Sequence, residues 1–483
     1  MREIKRLLIA NRGEIALRVI RACKELDITS IAIFSEVDVD GIWVRKADEA
    51  YPILGDPIEA YLSIDKIISL AKKANCDAIH PGYGFLSESA EFAKACEENG
   101  IIFIGPKPEH IELFGDKMAS KEAMKKVGVP VLEGLNEPIL DINEGKKAAK
   151  DIGFPVIIKA AYGGGGRGMR IVYKEDEFDE MFQSATNEAK KYFGKGEVFI
   201  EKYVSNPRHI EVQIIADKYG NVVHLGERDC SIQRRHQKVI EVAPSPNLNQ
   251  ETRKELFRIA TKAMFKIGYE SVGTVEFLLD KDDNIYFIEM NTRVQVEHPV
   301  TEVISGIDII QRMIEIAKGD KLKFLQEEIK LRGYAIEFRI NSEDPSKNFM
   351  PTFGTIKRHI LPGGPGVRVD TSIYSGYTNP PNYDSMLGKI IVYALDWEGT
   401  VKKAKRALEE YYIEGLTTNI PLHKEIVSNK DFIEGKFDTT FLEKNLEHFT
   451  LKASNAIEKE EERVKKLASL IKKIKDNNIK VKI

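Results

Sequence analysis

The chain has 483 residues, 42% of them hydrophobic and 30% charged, which is typical of a globular protein with two to four domains or subdomains. Its formal net charge of −3 argues against a general nucleic-acid binder, and no apolar run approaches the ~20 residues that a membrane-spanning helix needs. The four cysteines are widely scattered without a Cys-x-x-Cys pair, which predicts a cytoplasmic protein and offers no zinc site.

The N-terminal part of the sequence predicts a parallel α/β domain. Residues 6–10 are predicted to form a buried strand, residues 11–26 a helix and residues 30–34 the next strand, which together make a βαβ unit. The G-x-G-x-x-G fingerprint of a dinucleotide-binding domain is absent. A further strand at 77–80 leads into Pro-Gly-Tyr-Gly-Phe-Leu-Ser-Glu, and open α/β sheets place ligands at such a carboxyl edge. We predict that this domain spans residues 1–115.

The next segment predicts a small lid built around a run of glycines. A helical connector is expected at 116–135 and the lid at 136–203, with strands at 154–161 and 169–173. Four consecutive glycines lie between these strands, whereas a Walker loop would lead into a helix. Such glycines let backbone N–H groups approach phosphate oxygens, and Lys159 precedes them with a positive charge. A flexible linker is the alternative interpretation of this run.

Residues 204–447 alternate predicted strands and helices, which indicates a large α+β region. Within it, residues 227–238 carry four cationic side chains and a histidine between two predicted strands, a pattern that suits an anion pocket or a solvated basic face. Residues 448–483 predict a charged helical tail whose apolar stripe marks either a solvated helix or a helix that docks a partner. The members of this stripe are Ile457, Val464, Leu467, Leu470, Ile471 and Ile474.

A predicted hairpin within the large region carries the most specific chemistry. If its polar turn is symmetric, Asp280 faces Ile285, and the same register places Glu276 opposite Glu289. Asn291 lies two residues beyond the second glutamate and points the same way. Two carboxylates held this close repel each other unless one is protonated or a cation lies between them. This set of oxygen ligands suits Mg²⁺ or Mn²⁺, with substrate phosphates completing the coordination.

Taken together, five motifs in this order resemble the biotin carboxylases, which are ATP-grasp ligases that serve biotin-dependent carboxylases. The resemblance runs from residue 1 to about 447, although carbamoyl-phosphate synthetases share the Glu-x-Asn-x-Arg segment. It implies a Rossmann-like N-terminal domain, an ATP-grasp lid and large domain, and a C-terminal mixed domain. The motifs are Asn11-Arg-Gly-Glu-Ile-Ala, His80-Pro-Gly-Tyr-Gly-Phe-Leu-Ser-Glu, Gly163-Gly-Gly-Gly-Arg-Gly-Met, Arg228-Asp-Cys-Ser-Ile-Gln-Arg-Arg-His-Gln-Lys and Glu289-Met-Asn-Thr-Arg-Val-Gln-Val-Glu-His-Pro.

The resemblance implies that ATP binds between the lid and the large domain. Residues implied to contact the nucleotide or its phosphates are Lys117, Lys159, Gly165, Gly166, His209, Gln233, His236 and Leu278. The strand edge at Glu201, Lys202 and Val204 would bind the adenine through backbone donors and acceptors. Glu276 and Glu289 would bridge two Mg²⁺ or Mn²⁺ ions and the phosphates, with Asn291 on the second ion.

The resemblance also implies neighbouring sites for bicarbonate and biotin. Bicarbonate would be bound by Lys238, Arg293, Gln295, Val296 and Glu297. Bicarbonate becomes a good nucleophile once a base removes its proton, and Glu297 is the nearest candidate for that base. The side chains of Arg293 and Lys238 can stabilise the negative charge that grows as bicarbonate attacks the γ-phosphate. Arg339 corresponds to the arginine that stabilises the enolate oxygen of biotin, and Tyr83 would line the biotin pocket.

The leading functional hypothesis is therefore ATP-dependent carboxylation of carrier-bound biotin, with pyruvate favoured as the final acceptor. Acetyl-CoA, another acyl-CoA or another 2-oxoacid is the alternative acceptor; a different ATP-grasp ligase and a non-catalytic nucleotide-binding module remain further alternatives. Biotin carriers hold biotin on the lysine of a Met-Lys-Met turn, whereas Glu122-Ala-Met-Lys-Lys lacks the second methionine. With the chain ending at Ile483, we expect a separate biotin-carrier/carboxyltransferase subunit, and a homodimer of the core.

Overall fold

The N-terminal region forms a five-stranded parallel sheet, in the order β3-β2-β1-β4-β5. The structure, a computed structural model, describes residues 3–135, 137–161 and 169–476. The central strand is apolar and completely buried at Leu7, Leu8 and Ile9, as expected for a parallel sheet covered on both faces. The strands are β1 (Arg6–Ile9), β2 (Thr29–Phe34), β3 (Glu49–Pro52), β4 (Ala78–His80) and β5 (Ile102–Phe103). The helices are α1 (Gly13–Glu25), α2 (Ile42–Lys46), α3 (Glu59–Leu62), α4 (Ile64–Lys73), α5 (Ala90–Glu98) and α6 (Pro108–Gly115).

The predicted lid contains a three-stranded antiparallel sheet with a helix from each side of the glycine run. The connector is α7 (Lys117–Lys126), and the lid elements are α8 (Ile142–Ile152), β6 (Val156–Ala160), β7 (Arg170–Val172), α9 (Phe178–Phe193) and β8 (Val198–Lys202). The central strand β6 pairs with β7 on one side and β8 on the other. Val156, Ile158 and Phe178 belong to a small hydrophobic core that is formed by lid residues. The predicted phosphate contacts Gly165 and Gly166 lie outside the described residues.

One antiparallel sheet of eight strands runs through the rest of the protein, in the order β13-β12-β9-β10-β11-β14-β21-β19. Its strands are β9 (Arg208–Ala216), β10 (Val222–Arg234), β11 (Gln237–Ala243), β12 (Ser271–Leu279), β13 (Ile285–Asn291), β14 (Tyr334–Asn341), β19 (Val367–Thr371) and β21 (Met386–Ala394). Short strands outside it are β15 (Glu343–Asp344), β16 (Met350–Pro351), β17 (Gly354–Thr355), β18 (Arg358–Ile360), β20 (Thr378–Asn379) and β22 (Tyr412–Glu414). The helices are α10 (Gln250–Ile267), α11 (His298–Ser305), α12 (Ile309–Lys318), α13 (Trp397–Glu410), α14 (Ile420–Ile426), α15 (Lys430–Ile433) and α16 (Phe441–Asp476).

The basic segment 227–238 belongs to the sheet itself, so the prediction that it lies between two strands is wrong. It forms most of β10, a tight turn and the start of β11. Its cations therefore diverge. Arg228 is completely buried, Arg234 stacks on a phenylalanine ring with 3.8 Å between guanidinium carbon and ring centre, and Lys238 points into the candidate site described below. No common basic face results within the described part of this segment.

The predicted hairpin forms, but its turn consists of residues 280–284 and is one residue longer than predicted. Leu279, rather than Asp280, pairs with Ile285. Asp280 instead accepts hydrogen bonds from backbone N–H groups inside the turn. An extra residue, Ile288, then bulges out of β13 and restores the predicted pairing of the two glutamates.

The long C-terminal helix α16 begins in the core and continues into the charged tail. Phe441, Leu442 and Phe449 pack against the cluster that covers one face of the large sheet. The side chains of the predicted apolar stripe, from Ile457 to Ile474, lie outside the described residues. Across the described ranges, no helix is both long and apolar enough to cross a membrane.

Candidate active site

Glu276 and Glu289 lie directly opposite each other on β12 and β13, as predicted. Glu276 is buried and surrounded by donors: His209 Nε2 lies 2.7 Å from one of its carboxylate oxygens. The other oxygen has three partners at 2.8 Å, namely Lys238 Nζ, Asn291 Nδ2 and Gln295 Nε2. The strand register thus brings predicted metal, phosphate and bicarbonate ligands onto one carboxylate.

The two opposed carboxylates differ in their surroundings. Burial opposes ionisation of Glu276, but Lys238 and His209 outweigh it and hold the pKa of that carboxyl well below its usual range. The side chain of Glu289 is exposed, so water has access to it. Protein crowded around it, together with the Glu276 carboxylate, nevertheless raises the pKa of Glu289. A cation between the two glutamates would remove this repulsion, so the donor set fits a hard divalent ion.

Lys238 is the central cation of the site. Its ammonium group lies 2.6 Å from Glu211, 2.8 Å from Glu276 and 2.7 Å from Glu297. Burial alone would favour the neutral amine, but these three carboxylates raise the pKa of Lys238 well above its usual range. Lys238 therefore keeps its charge and can stabilise an anion that displaces one of its carboxylate partners.

Glu297 connects Lys238 to Arg339 on strand β14. One of its oxygens accepts from Lys238, and the other accepts from Arg339 Nη2 at 2.9 Å. Burial raises its pKa, but Lys238, Arg339 and Arg228 outweigh burial and hold the pKa of Glu297 well below its usual range. Glu297 is thus an ionised carboxylate, which is the form that accepts a proton.

Arg293 links the hairpin to the N-terminal domain. Its Nε donates to Glu88 at 2.8 Å, and its Nη2 donates to Asn291 Oδ1 at the same distance. Burial opposes its charge, yet the Glu88 carboxylate raises the pKa of Arg293. The guanidinium therefore stays charged beside Asn291, where a bound phosphate or bicarbonate would add negative charge.

Arg339, on β14, lies between two carboxylates. Its Nε donates to Glu241 at 2.6 Å and its Nη2 to Glu297. Burial is outweighed by Glu241 and Glu297, which raise the pKa of Arg339 above its usual value. The planar guanidinium is held in one orientation, which suits recognition of a carbonyl or enolate oxygen.

A short chain of contacts ties the predicted biotin pocket to the bicarbonate segment. The Tyr83 hydroxyl donates to Glu14 at the start of α1. Glu14 also lies 3.0 Å from the ammonium group of Lys389, on β21, which donates in turn to the backbone carbonyl of Val296. Lys389 is completely buried, so this chain joins the N-terminal sheet to the loop that carries Glu297.

Two of the predicted nucleotide residues, Lys159 and Glu201, form an ion pair between neighbouring strands of the lid sheet. Lys159 Nζ donates to Glu201 at 2.6 Å, and Lys121 pairs with the same carboxylate. Burial would raise the pKa of Glu201, but the two lysines lower it to about 2. Lys159 is therefore held against Glu201 on β8, and the predicted phosphate contact would require it to leave this carboxylate.

The remaining predicted nucleotide residues occupy mixed environments. Gln233 Nε2 lies 2.8 Å from His209 Nδ1, which places both beside Glu276. The Lys202 ammonium group donates a hydrogen bond to the Gly153 carbonyl at 2.8 Å, so its side chain stabilises the lid. Lys117 is exposed at the start of α7, and His236 is exposed in the turn after β10, with a φ of 65°. Val204 is buried and Leu278 is half-buried.

Sequence reasoning missed several charged residues of the site. Glu211 lies two positions after His209 on a strand with a clear period of two, so the alternation could have placed both on one face. Glu88, Glu241 and Lys389 had no such signal. They reach the site from a loop of the first sheet and from strands whose pairing the sequence does not reveal.

Comparison with protein families decides the identity of the chain. Residues 3–111 match the model for the biotin carboxylase N-terminal domain, and residues 337–444 match that for the biotin carboxylase C-terminal domain. Residues 116–325 match the ATP-binding domain of the carbamoyl-phosphate synthase L chain. The chain belongs to the biotin carboxylase family. It is the biotin carboxylase component of a biotin-dependent carboxylase, as the sequence motifs predicted.

Individual relatives cover almost the whole chain. The small subunit of 2-oxoglutarate carboxylase from Hydrogenobacter thermophilus is 53% identical over 441 residues, which cover 91% of this chain and 93% of the relative. A pyruvate carboxylase subunit from Methanothermobacter thermautotrophicus is 49% identical over 465 residues, covering 96% and 94%.

A solved structure of the Hydrogenobacter thermophilus biotin carboxylase domain superposes with a TM-score of 0.88. It is 52% identical, and the match covers 93% of this chain and 99% of the other. That domain was crystallised as a dimer in complex with MgADP, ADP and bicarbonate. The ATP-grasp biotin carboxylase fold predicted from the sequence is confirmed.

Proposed function

We propose that the cluster around Lys238 is the place where bicarbonate is activated and phosphorylated. The observation that carries this proposal is the three-carboxylate environment of Lys238, formed by Glu211, Glu276 and Glu297 at 2.6–2.8 Å. Bicarbonate would take the place of one carboxylate partner beside Lys238 and Arg293. Glu297 then accepts the bicarbonate proton, because it is held as an anion within reach of the same ammonium group.

The reaction then follows from the chemistry of the two substrates. The deprotonated bicarbonate oxygen forms a bond to the γ-phosphorus of ATP while the bond to ADP breaks, giving carboxyphosphate. Carboxyphosphate releases CO₂ and phosphate, and the phosphate accepts the ureido N1 proton of biotin. The N1 nitrogen then bonds to CO₂. Arg339 stabilises the negative charge that develops on the ureido oxygen, and Tyr83 lines the pocket.

A divalent ion fits the opposed carboxylates at the hairpin. Glu276, Glu289 and Asn291 would hold Mg²⁺ or Mn²⁺ together with phosphate oxygens, and two ions agree with the sequence prediction. A bound ion would supply charge neutralisation on the phosphates of ATP. The relative crystallised with MgADP supports this assignment.

We further propose pyruvate as the final carboxyl acceptor. The support is the 49% identity to the Methanothermobacter pyruvate carboxylase subunit over 96% of the chain. The 53% identity to the small subunit of 2-oxoglutarate carboxylase supports the wider class of 2-oxoacids and makes 2-oxoglutarate the first competitor. Acetyl-CoA is the other acceptor to be tested.

Biotin is expected to arrive on a separate carrier/carboxyltransferase subunit. Lys125, which follows the single methionine of the carrier-like sequence, lies inside helix α7 and not in a turn between strands. The dimer formed by the related domain supports a homodimer of the core. Whether the tail beyond residue 448 docks the carrier subunit stays a prediction.

The experiment that tests the activity is bicarbonate-dependent ATP hydrolysis with and without free biotin. We expect free biotin to increase hydrolysis and to yield carboxybiotin; no response to biotin would indicate a different ATP-grasp ligase. The acceptor is tested with the complex purified through this chain, assayed on pyruvate, 2-oxoglutarate and acetyl-CoA. Mass spectrometry that finds biotin on Lys125, or complete pyruvate carboxylation by this chain alone, would overturn the proposed division of the enzyme between two chains.

A further inference from the structure

A second pair of opposed glutamates lies behind the site, in the same large sheet. Glu241 on β11 pairs in register with Glu337 on β14. Both side chains are completely buried. Directly opposed residues of an antiparallel pair have Cβ atoms roughly 4.5–5.5 Å apart, so the two carboxyl groups face the same small volume.

The two members of this pair have different partners. Glu241 accepts one hydrogen bond, from Arg339 Nε at 2.6 Å. Neither oxygen of Glu337 has a hydrogen-bond donor among the described residues, although both oxygens are buried. An ionised carboxylate without donors in a protein interior is strongly disfavoured, because burial removes the water that would stabilise its charge.

The charged groups that act most strongly on Glu337 come from its own strand, from both neighbouring strands and from the segment before α11. Glu241 faces it from β11, Arg339 lies on its own strand, Lys389 approaches from β21 and Glu297 from the segment before α11. Lys389 is already engaged by Glu14 at 3.0 Å and by the carbonyl of Val296. His298, at the start of α11, adds no positive charge, because burial and nearby cations hold its pKa well below its usual range.

These surroundings favour one proton on the pair. Burial, with Glu241 opposite, raises the pKa of Glu337 well above its usual value despite Lys389. Burial also raises the pKa of Glu241, to about 7, against the attraction of Arg339. Glu337 has no described donor, whereas Glu241 accepts a hydrogen bond from the charged Arg339 guanidinium, so the proton resides on Glu337 and Glu241 keeps its charge.

We propose that Glu337 is a neutral carboxylic acid in the working enzyme and is a positioning residue for Arg339. A neutral Glu337 lets Glu241 remain the ionised anchor that orients the guanidinium. An ionised Glu337 would add a third carboxylate around Arg339, beside Glu241 and Glu297, and would offset the positive charge that is needed at the ureido oxygen. This inference rests on the proposed role of Arg339 in biotin carboxylation.

The protonation state is tested by infrared spectroscopy on the purified chain at neutral pH. A protonated carboxyl group has a C=O stretch that is separate from the carboxylate bands and shifts in D₂O. We expect the E337Q variant to lose one such band relative to wild type. The matched control is E302Q, because Glu302 is also buried but is paired with Arg18 and Arg368, which hold its pKa below its usual range against burial.

Two spectroscopic outcomes overturn the proposal. The first is an E337Q spectrum that retains every protonated-carboxyl band, and the second is loss of such a band in E302Q as well. If E337Q does not fold, alkaline titration of the wild-type enzyme replaces it. The band should then disappear as Glu337 ionises, and a spectrum without any protonated-carboxyl band at neutral pH contradicts the inference.

The positioning role is tested by comparing E337Q with E241Q in two assays, biotin carboxylation and bicarbonate-dependent ATP hydrolysis. Glutamine resembles the neutral acid, so E337Q should retain at least half of the wild-type kcat for biotin carboxylation. E241Q removes the anchor of Arg339 and should lower that kcat at least tenfold while ATP hydrolysis changes less than threefold. Equal losses in the two variants, or equal losses in the two assays, would overturn the role.

The pH profile provides a readout that a merely structural role would not change. The raised pKa means that the active, protonated form of Glu337 prevails at low and neutral pH and is lost as pH rises. Biotin carboxylation by wild type should therefore fall at alkaline pH. The E337Q variant, whose glutamine cannot ionise, should keep its activity to higher pH than wild type. Superimposed alkaline limbs contradict the proposal. If R339S retains biotin carboxylation, the role of Arg339 fails, while the infrared result still decides the protonation of Glu337.

Discussion

Two of the opposed glutamate pairs in the large sheet share a geometry and differ in environment. Glu276 and Glu289 lie beside Lys238 and His209, and the side chain of Glu289 is exposed. Glu241 and Glu337 lie in the closed interior, where Arg339 binds one member and no described donor binds the other. Cross-strand register alone therefore does not determine how two close carboxylates relieve their repulsion. Access to cations and water favours a metal at the first pair and a proton at the second.

The largest effect is expected at the first pair, Glu276 and Glu289. Replacing Glu289 by glutamine keeps the shape but removes the charge that a divalent ion needs, so we expect ATP turnover to fall below detection, a loss on the order of 10³-fold or more. The measurement is ATP hydrolysis over a titration of Mg²⁺ and Mn²⁺, with the melting temperature checking the fold. The matched control is E337Q, which should keep its metal dependence. Turnover retained by E289Q would refute the metal assignment.

The next largest effect is expected at Glu297. This carboxylate accepts hydrogen bonds from Lys238, beside the first pair, and from Arg339, beside the second. Alanine at this position removes the base for bicarbonate, and bicarbonate-dependent ATP hydrolysis should fall on the order of 10²–10³-fold. ATP binding, measured by equilibrium titration, should stay within about threefold, because the hydrogen-bond partners of Glu297 are Lys238 and Arg339, which are proposed to bind bicarbonate and biotin. If affinity for ATP collapses to the same extent, Glu297 is part of the nucleotide site instead.

The smallest of these effects concerns the closed pair and acts through Arg339. Serine at this position removes the proposed donor to biotin and leaves Glu241 without its only described partner. We expect carboxybiotin formation to fall on the order of 10²-fold, as for loss of one oxyanion donor, while bicarbonate-dependent ATP hydrolysis survives. Both rates are measured on the same preparation. Normal carboxybiotin formation by R339S would contradict the enolate role.

Local patterns in the sequence predicted much of the fold and the centre of the site. The pairing of Glu276 with Glu289 was predicted correctly, although the route was wrong, since a longer turn and the bulge at Ile288 offset each other. Bulges depend on packing against neighbouring strands, which no short window of sequence contains. Motifs of consecutive residues also placed Lys238, Arg293 and Glu297 together, because the resemblance to biotin carboxylases carried their relative positions.

Long-range strand pairing limited the prediction of the rest. Glu241 and Glu337 are 96 residues apart and become neighbours only because β11 pairs with β14. Glu14 on helix α1 and Lys389 on strand β21 are likewise far apart in the sequence and meet only in the fold. The residue types do not indicate these contacts, because glutamate and lysine are usually exposed in folded proteins. The engagement of Lys159 by Glu201 was likewise missed, because Lys159 was assigned to phosphates before its protein neighbours were known.

The burial of all four cysteines has a practical consequence for studying the lid. Cys23, Cys76, Cys96 and Cys230 are enclosed, and burial raises the pKa of each thiol, the first three to about 12. Alkylating dyes react with the thiolate, so the native chain offers them little at neutral pH. A single cysteine introduced at an exposed lid position such as Lys174 would therefore take up one fluorophore per chain. Any movement of the predicted lid on nucleotide binding would then be observable by fluorescence.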